Sequence, residues 1–402
     1  MLLALLGLDD QTLAIAAAAG RGAGHRVALA CDLPPDGIAR LAAVGISGFE
    51  TAPWESLMIG GRFDAVVIAS AIDDAEEELR TEQLRKLVQE GVPMLVAHPV
   101  LNSMLGCYEI DMIRRESQCI MLPYLPARWD PEVRRLFQAL RDPAQSPIGA
   151  IEQVVFERSA KDRSRRAVLS HFARDVDLIR SIAGEVMRVG ALGGSGSQAG
   201  YANLTVQMSG EGPAVIRWSI GPVGDFAGGR LKVIGTKDRF ELSPPGDEIA
   251  NPPAIAELTD EAAEDFEDAW DAPTAALEQL SLAIEHRTAI PDFSVAIRDI
   301  ELAEAIPRSL VRGRTIEVQH EQPTEEGTFK GLMTSLGCGL LLMGLLLVVA
   351  MAVLDFVARA NNWRTLSAIL RSWPWVLCAV FGVFLAFQVL LRLTRRRDGD
   401  SG

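Results

Sequence analysis

The chain is poor in the residue patterns that build disulfide scaffolds, zinc knuckles and nucleic-acid faces. Its five cysteines, Cys31, Cys107, Cys119, Cys338 and Cys378, make no C-x-x-C pair. Neither a disulfide framework nor a zinc knuckle is in view, and a reducing compartment suits such thiols. Five histidines are scattered and none belongs to an H-E-x-x-H run, so no metal site is expected. Basic residues are outnumbered, 39 Lys and Arg against 53 Asp and Glu, for a net charge of −14. A nucleic-acid partner wants a basic face and is not expected. The acidity is local: Glu257 to Asp271 holds many acids and no base, which reads as a solvated surface segment. An export signal is also missing. The opening MLLALLGLDD has no Lys or Arg before its apolar run, and two acids end that run, so it reads as a buried first strand.

What is present is a long, otherwise ordinary globular composition with an apolar tail. A length of 402 residues suggests two or three domains and can bury a sizeable core. From Leu332 to Leu354 about 23 residues carry no charge, enough to cross a ~30 Å hydrocarbon core. Ser372 to Leu391 supplies roughly 20 more. Trp363, Trp373 and Trp375 flank the second run, as an interfacial belt would, and Arg392, Arg395, Arg396 and Arg397 follow it. The expectation is a C-terminal two-helix transmembrane hairpin in an inner or plasma membrane. Both its ends, and the soluble body, then face the cytoplasm.

The first 125 residues alternate strand and helix patterns. Leu2 to Leu8, Arg26 to Ala30, Ala65 to Ala69, Pro93 to Ala97 and Ile120 to Leu122 read as strands. An alanine-rich helix follows Asp9–Asp10, and Glu76 to Glu90 reads as an amphipathic helix. Such alternation predicts βαβ units on a parallel sheet, with ligands at the strands' carboxyl ends. After Pro131 strand patterns come in series: Ile151 to Arg158, Val186 to Leu192, Ala202 to Met208, Ala214 to Ile220, Leu231 to Ile234 and Arg239 to Leu242. One helix, Leu169 to Ile182, interrupts them, and Thr274 to His286 and Phe293 to Val311 are helical. The predicted organisation is an α/β Rossmann-like domain over 1–125 and an α+β domain with an open, mainly antiparallel sheet over 126–320. A linker over 321–331, two membrane helices over 332–392 and a basic, polar tail over 393–402 complete it.

The order of these pieces resembles the glucose–fructose oxidoreductase/inositol dehydrogenase (Gfo/Idh/MocA) family. FDAVVIAS (Phe63 to Ser70) is similar to its fourth-strand segment, and GVPMLVAHP (Gly91 to Pro99) to its G-K-H-V-L-x-E-K-P segment. RWDP (Arg128 to Pro131) followed by IGAIEQVVFER matches the start of its second domain. RDVDLIRSIAG (Arg174 to Gly184) is similar to its H-D-I-D-L-x-R-W-L-x-G helix, and LKVIGTKDRFEL and RSLVRGRTIEV complete the pattern. The resemblance covers roughly residues 1 to 320.

The resemblance implies NAD as cofactor, a small carbohydrate-like ligand and a homo-oligomer joined through the open sheet. It places the cofactor against Gly7, Leu8, Asp9, Asp32, Ser70 and His98. Yet of the three glycine positions only Gly7 is kept; Asp9 and Thr12 hold the others. Asp9 and Asp10 bring negative charge to a phosphate station, or they cap the helix. Asp32 stands where an acid accepts from a ribose hydroxyl and would favour NAD over NADP; an ordinary loop acid is the plain alternative. The family's E-K-P lysine position is His98, and its D-x-x-x-H pair falls on Ser170 and Arg174. His98 could titrate near neutrality, Arg174 cannot act as a base, and His171 could substitute or be a partly buried helix residue. Arg174, Asp175 and Asp177 could form helix-surface ion pairs or bind an anionic ligand. Two expectations stand: an oxidoreductase rebuilt around His98, His171 and Arg174, or a binding or scaffold protein that has lost catalysis.

Overall fold

The computed structural model describes residues 1–22, 24–140, 146–194, 199–210, 212–223, 228–243, 270–318 and 353. The first sheet grows from short apolar runs. β1 (Leu2–Leu6), β2 (Arg26–Cys31), β3 (Glu50–Ala52), β4 (Ala65–Ile68), β5 (Met94–Val96) and β6 (Met121–Pro123) are joined through α1 (Asp10–Arg21), α2 (Gly37–Ala43), α3 (Asp74–Gln89) and α4 (Met104–Ser117). The six strands run parallel in the order β3-β2-β1-β4-β5-β6. Helices on both faces explain why LLALL and AVVI need no polar alternation. The chain order reverses between β1 and β4, which makes the carboxyl end of β1 the switch point of the sheet.

The second sheet follows α5 (Pro131–Leu140). Its strands are β7 (Ile151–Ser159), β8 (Val186–Leu192), β9 (Thr205–Gly210), β10 (Val215–Gly221), β11 (Gly228–Gly235), β12 (Arg239–Leu242) and the terminal β13 (Ile316–Glu317). The order is β12-β11-β7-β10-β9-β8-β13. All pairs are antiparallel except β7 with β10, which is parallel. The sheet is therefore mixed, with the mainly antiparallel character expected. α6 (Arg165–Ala183) and the later part of α9 (Phe293–Arg312) build its core, with Val168, Phe172, Val176, Leu302 and Ile306 meeting Phe156, Trp218 and Leu231. Ala202 to Met208, expected as one strand, splits into α7 (Ala199–Ala202) and β9.

Two helices cross the boundary placed at residue 125. α8 (Ala272–His286) sends Ala276, Leu277 and Leu280 into the first sheet's core beside Leu13 and Ala16 of α1. The start of α9 buries Phe293, Ala296, Ile297 and Ile300 on the opposite face of that sheet, against Leu84 and Leu87 of α3. The C-terminal helices thus complete the first core as well as the second, and Met1–Gln319 form one compact unit. The apolar runs Leu332–Leu354 and Ser372–Leu391 lie, apart from Val353, outside the described residues, as do the linker, the basic tail and most of the acidic stretch. Among the described residues no helix is long and apolar enough to cross a membrane.

Candidate functional site

The carboxyl ends of β1, β2, β4 and β5 bring Gly7, Asp32, Ser70 and His98 to one side of the first sheet. Gly7 leaves β1 with φ +73°, a left-handed turn that glycine takes at little cost, and its N–H donates to Cys31 O at 3.0 Å. Leu8 turns inward to the core beside Leu13. Asp9 then caps α1. Its Oδ1 accepts from Thr12 N at 2.8 Å, while Thr12 Oγ1 accepts from Asp9 N at 2.8 Å, a reciprocal capping box. Asp9 Oδ2 accepts from Ser70 N at 2.8 Å, which ties the end of β4 to the end of β1. The third glycine position of a dinucleotide turn is thus used by Thr12 to stop the helix from fraying, and the Asp9 carboxylate is committed to two backbone N–H groups.

α3 fills what lies beside that turn. Arg80 is 2 % exposed and Gln83 1 %. Arg80 Nη1 donates to Leu6 O at 3.3 Å and Nη2 to Glu76 Oε1 at 3.0 Å. A β-carbon built on Gly7 would stand only 2.6 Å from Arg80 Nη2. Gln83 Nε2 donates to Asp32 Oδ2 at 2.6 Å. Burial pulls the Arg80 pKa below the ordinary arginine value, with Glu76 opposing. Arg80 and Gln83 sit at helical spacing with Leu84, Leu87 and Val88, all buried, so they extend the apolar stripe of α3 towards the sheet's carboxyl end. That register was the available signal in the sequence: two long polar residues on the buried face of an amphipathic helix.

His98, given an acid/base role in the sequence reading, is buried. Its ring is 1 % exposed, with Nε2 at 3.2 Å from Ala173 O and 3.4 Å from Asp299 Oδ2. The Gln11 side chain holds the His98 backbone from both sides, donating to its carbonyl and accepting from its N–H, each at 3.0 Å. Arg174 Nε donates to the same carbonyl at 3.0 Å. The structure thus joins His98 and Arg174 through backbone, while His171 is buried on α6. Ser170, which stands at the family's aspartate position, donates to Asn102 Oδ1 at 3.5 Å.

The helix-surface reading of Asp175 and Asp177 is corrected by their burial. Asp175 pairs with the buried Arg158 and accepts from Trp218 Nε1 at 2.8 Å. Asp177 takes a two-pronged contact from Arg128, Nη2 to Oδ1 at 2.6 Å. Burial first, and the Asp299 carboxylate second, push the Asp177 pKa up, with Arg128 opposing. Asp299, wholly buried, is held by Arg180 Nη1 at 2.6 Å. Burial alone would lower Arg180; Asp299 and Glu185 outweigh it and hold this guanidinium above its ordinary range. These α6 and α9 acids brace the two cores; the sequence reading singled out Asp175 and Asp177 but not Asp299. Among the described residues no group of acids, histidines and cysteines is placed to hold a metal ion.

No protein-family model and no curated protein matches the chain. Solved structures do. The myo-inositol dehydrogenase of Corynebacterium glutamicum superposes with a TM-score of 0.61 at 19% identity, over 80% of this chain and 99% of that one. The myo-inositol dehydrogenase of Lactobacillus casei, solved with NAD(H) and myo-inositol, gives 0.63 at 13% identity over 81% and 98%. The scyllo-inositol dehydrogenase of the same organism, solved with NAD(H) and scyllo-inositol, gives 0.61 at 12% over 79% and 98%. NAD(H) is bound in the two Lactobacillus casei structures, and in this chain Arg80 and Gln83 of α3 lie beside Gly7 and Asp32. The likeness extends over nearly the whole length of these dehydrogenases, and the chain has their two-part fold.

Proposed function

We propose that the body is an oxidoreductase-fold binding or scaffold protein of the Gfo/Idh/MocA type, one that no longer turns over a substrate. The observation that carries this is the burial of His98. Proton exchange at a substrate hydroxyl needs a titratable group within hydrogen-bond reach of it. The His98 ring spends its Nε2 on Ala173 O and Asp299 instead, and the two partner positions are Ser170 and Arg174. The test is turnover: the purified full-length chain with NAD and myo- or scyllo-inositol should form no reduced nicotinamide above background. Formation that disappears in His98→Ala would overturn the reading.

A second reading keeps the chemistry: an NAD-dependent oxidoreductase acting on a sugar- or polyol-like substrate, with His98 and His171 in new roles. It is favoured by the relatives solved with NAD(H) and an inositol bound. It requires the His98 ring to leave Asp299 and the crevice at Gly7 to open.

In either reading the apolar runs Leu332–Leu354 and Ser372–Leu391 tether the body to a membrane, with the body on the cytoplasmic side, and the second sheet's open face joins copies of the chain. Carbonate washing of membranes should leave the full-length chain in the pellet. Recovery in the aqueous fraction without detergent would remove the tether from the proposal.

A further inference from the structure

We infer that Arg80 and Gln83 act as an internal plug that stands in the place of a dinucleotide and competes with it. Three observations converge on the one crevice. The Arg80 guanidinium lies so close to Gly7 that even a methyl group there would collide with it. Gln83 donates to Asp32, the acid at the end of β2. Asp9 Oδ2 takes the Ser70 N–H at the end of β4. The first contact occupies space beside the glycine turn, and the other two engage one carboxylate oxygen of Asp32 and a backbone N–H at the end of β4, the strand ends where such sheets bind ligands.

The plug is latched from outside the crevice. Arg166 of α6 reaches the first turn of α3, donating to Asp74 Oδ1 at 2.9 Å and Glu77 Oε2 at 2.8 Å, and to the carbonyls of Ala71 and Asp73 at 3.3 Å. Glu77 Oε1 accepts in turn from the backbone N–H groups of Asn102 and Ser103. The start of α3 is thereby fastened to the second half of the body and to the loop after β5. Inside, the packing is less complete: Arg80 Nε, Gln83 Oε1 and Ser70 Oγ have no hydrogen-bond partner among the described residues. Buried polar groups left unpaired favour any state that pairs them. Long polar side chains that fill this place and leave polar atoms unpaired act as a plug that can be withdrawn, not as a core that has simply filled in.

The proposal concerns binding and not turnover, so it stands or falls separately from the loss of catalysis. It is tested by calorimetric titration of NAD⁺ into the purified full-length chain and four variants, each first checked for an unchanged circular-dichroism spectrum and cooperative melting. Arg80→Ala and Gln83→Ala open the crevice. Arg166→Ala releases the latch without altering any crevice residue. Arg85→Ala, also on α3, removes an outward pair with Glu109 of α4 and serves as control. The expected result is weak binding by the native chain, at least tenfold tighter binding by Arg80→Ala, a smaller gain for Gln83→Ala and Arg166→Ala, and none for Arg85→Ala. Tight binding by the native chain overturns the plug. So does a folded Arg80→Ala and Gln83→Ala pair that binds no better, and so does weaker binding by Arg80→Ala, which would make Arg80 a phosphate ligand. Reduced nicotinamide formed from an inositol by any of these proteins would instead overturn the loss of catalysis and leave the plug to the titration.

Discussion

Arg80 Nη2 stands 2.6 Å from where a β-carbon on Gly7 would lie, so the first strand's exit and the third helix exclude a side chain between them. Glycine is favoured there by its φ of +73°, and any β-carbon would also have to move the guanidinium above it.

Gly7→Ala should therefore destabilise the fold. The left-handed backbone alone costs an alanine roughly 1–2 kcal/mol, and the methyl group must displace Arg80 as well. Urea unfolding should show a lower midpoint with an unchanged slope. An unchanged midpoint would mean that the chain does not take the left-handed turn at Gly7.

Arg180 and Asp299 form a buried pair between α6 and α9, and Asp299 is wholly buried. Removing one partner leaves an uncompensated charge, which costs about 3–5 kcal/mol. Arg180→Ala should lose that much in chemical denaturation, whereas Arg180→Ala combined with Asp299→Asn should recover part of it. Equal losses in the single and double variants would show that the pair is not coupled.

Cys31 and Cys119 are buried, and burial pushes both thiols up to about 12, with Asp32 adding to the effect at Cys31 and Arg114 opposing it at Cys119. Cys107 is driven up as well, by burial. In the unfolded chain a thiol ionises near ~8.5. A pKa raised in the fold contributes stability that is complete below the unfolded value and is lost as pH climbs towards the folded one. Stability should hold at neutral pH and then fall steadily above about pH 9. Thiol labelling mapped by mass spectrometry should leave all three unmodified in the folded protein at pH 8. Labelling as fast as in urea would contradict their burial.

The sequence and the structure agree best where a long apolar pattern decides the outcome. LLALL and AVVI sit in the parallel sheet because runs without polar residues must be covered on both faces. The helix read over Leu169 to Ile182 lies within Arg165–Ala183, and the strands read over Leu231 to Ile234 and Arg239 to Leu242 pair as β11 and β12. The edge strand β3 and the two-residue β13 were not legible, since three or two residues carry no period. At the site, the capping of α1 by Asp9 could be read from the residue order. The closing of the crevice could not. Arg80 and Gln83 lie some 70 residues beyond Gly7 in the chain, and only the packing of α3 onto the sheet brings them over it. The same holds for His98, whose ring meets Asp299 from far along the chain.

The central claim is that this crevice is filled by the protein's own side chains. A crystal structure of the full-length chain grown with millimolar NAD⁺ tests it most directly. The account predicts Arg80 over Gly7, Gln83 on Asp32 and His98 against Asp299 wherever the dinucleotide is absent, and Arg80 swung away wherever it is bound. A dinucleotide lying across Gly7 with Arg80 and Gln83 unmoved would contradict it.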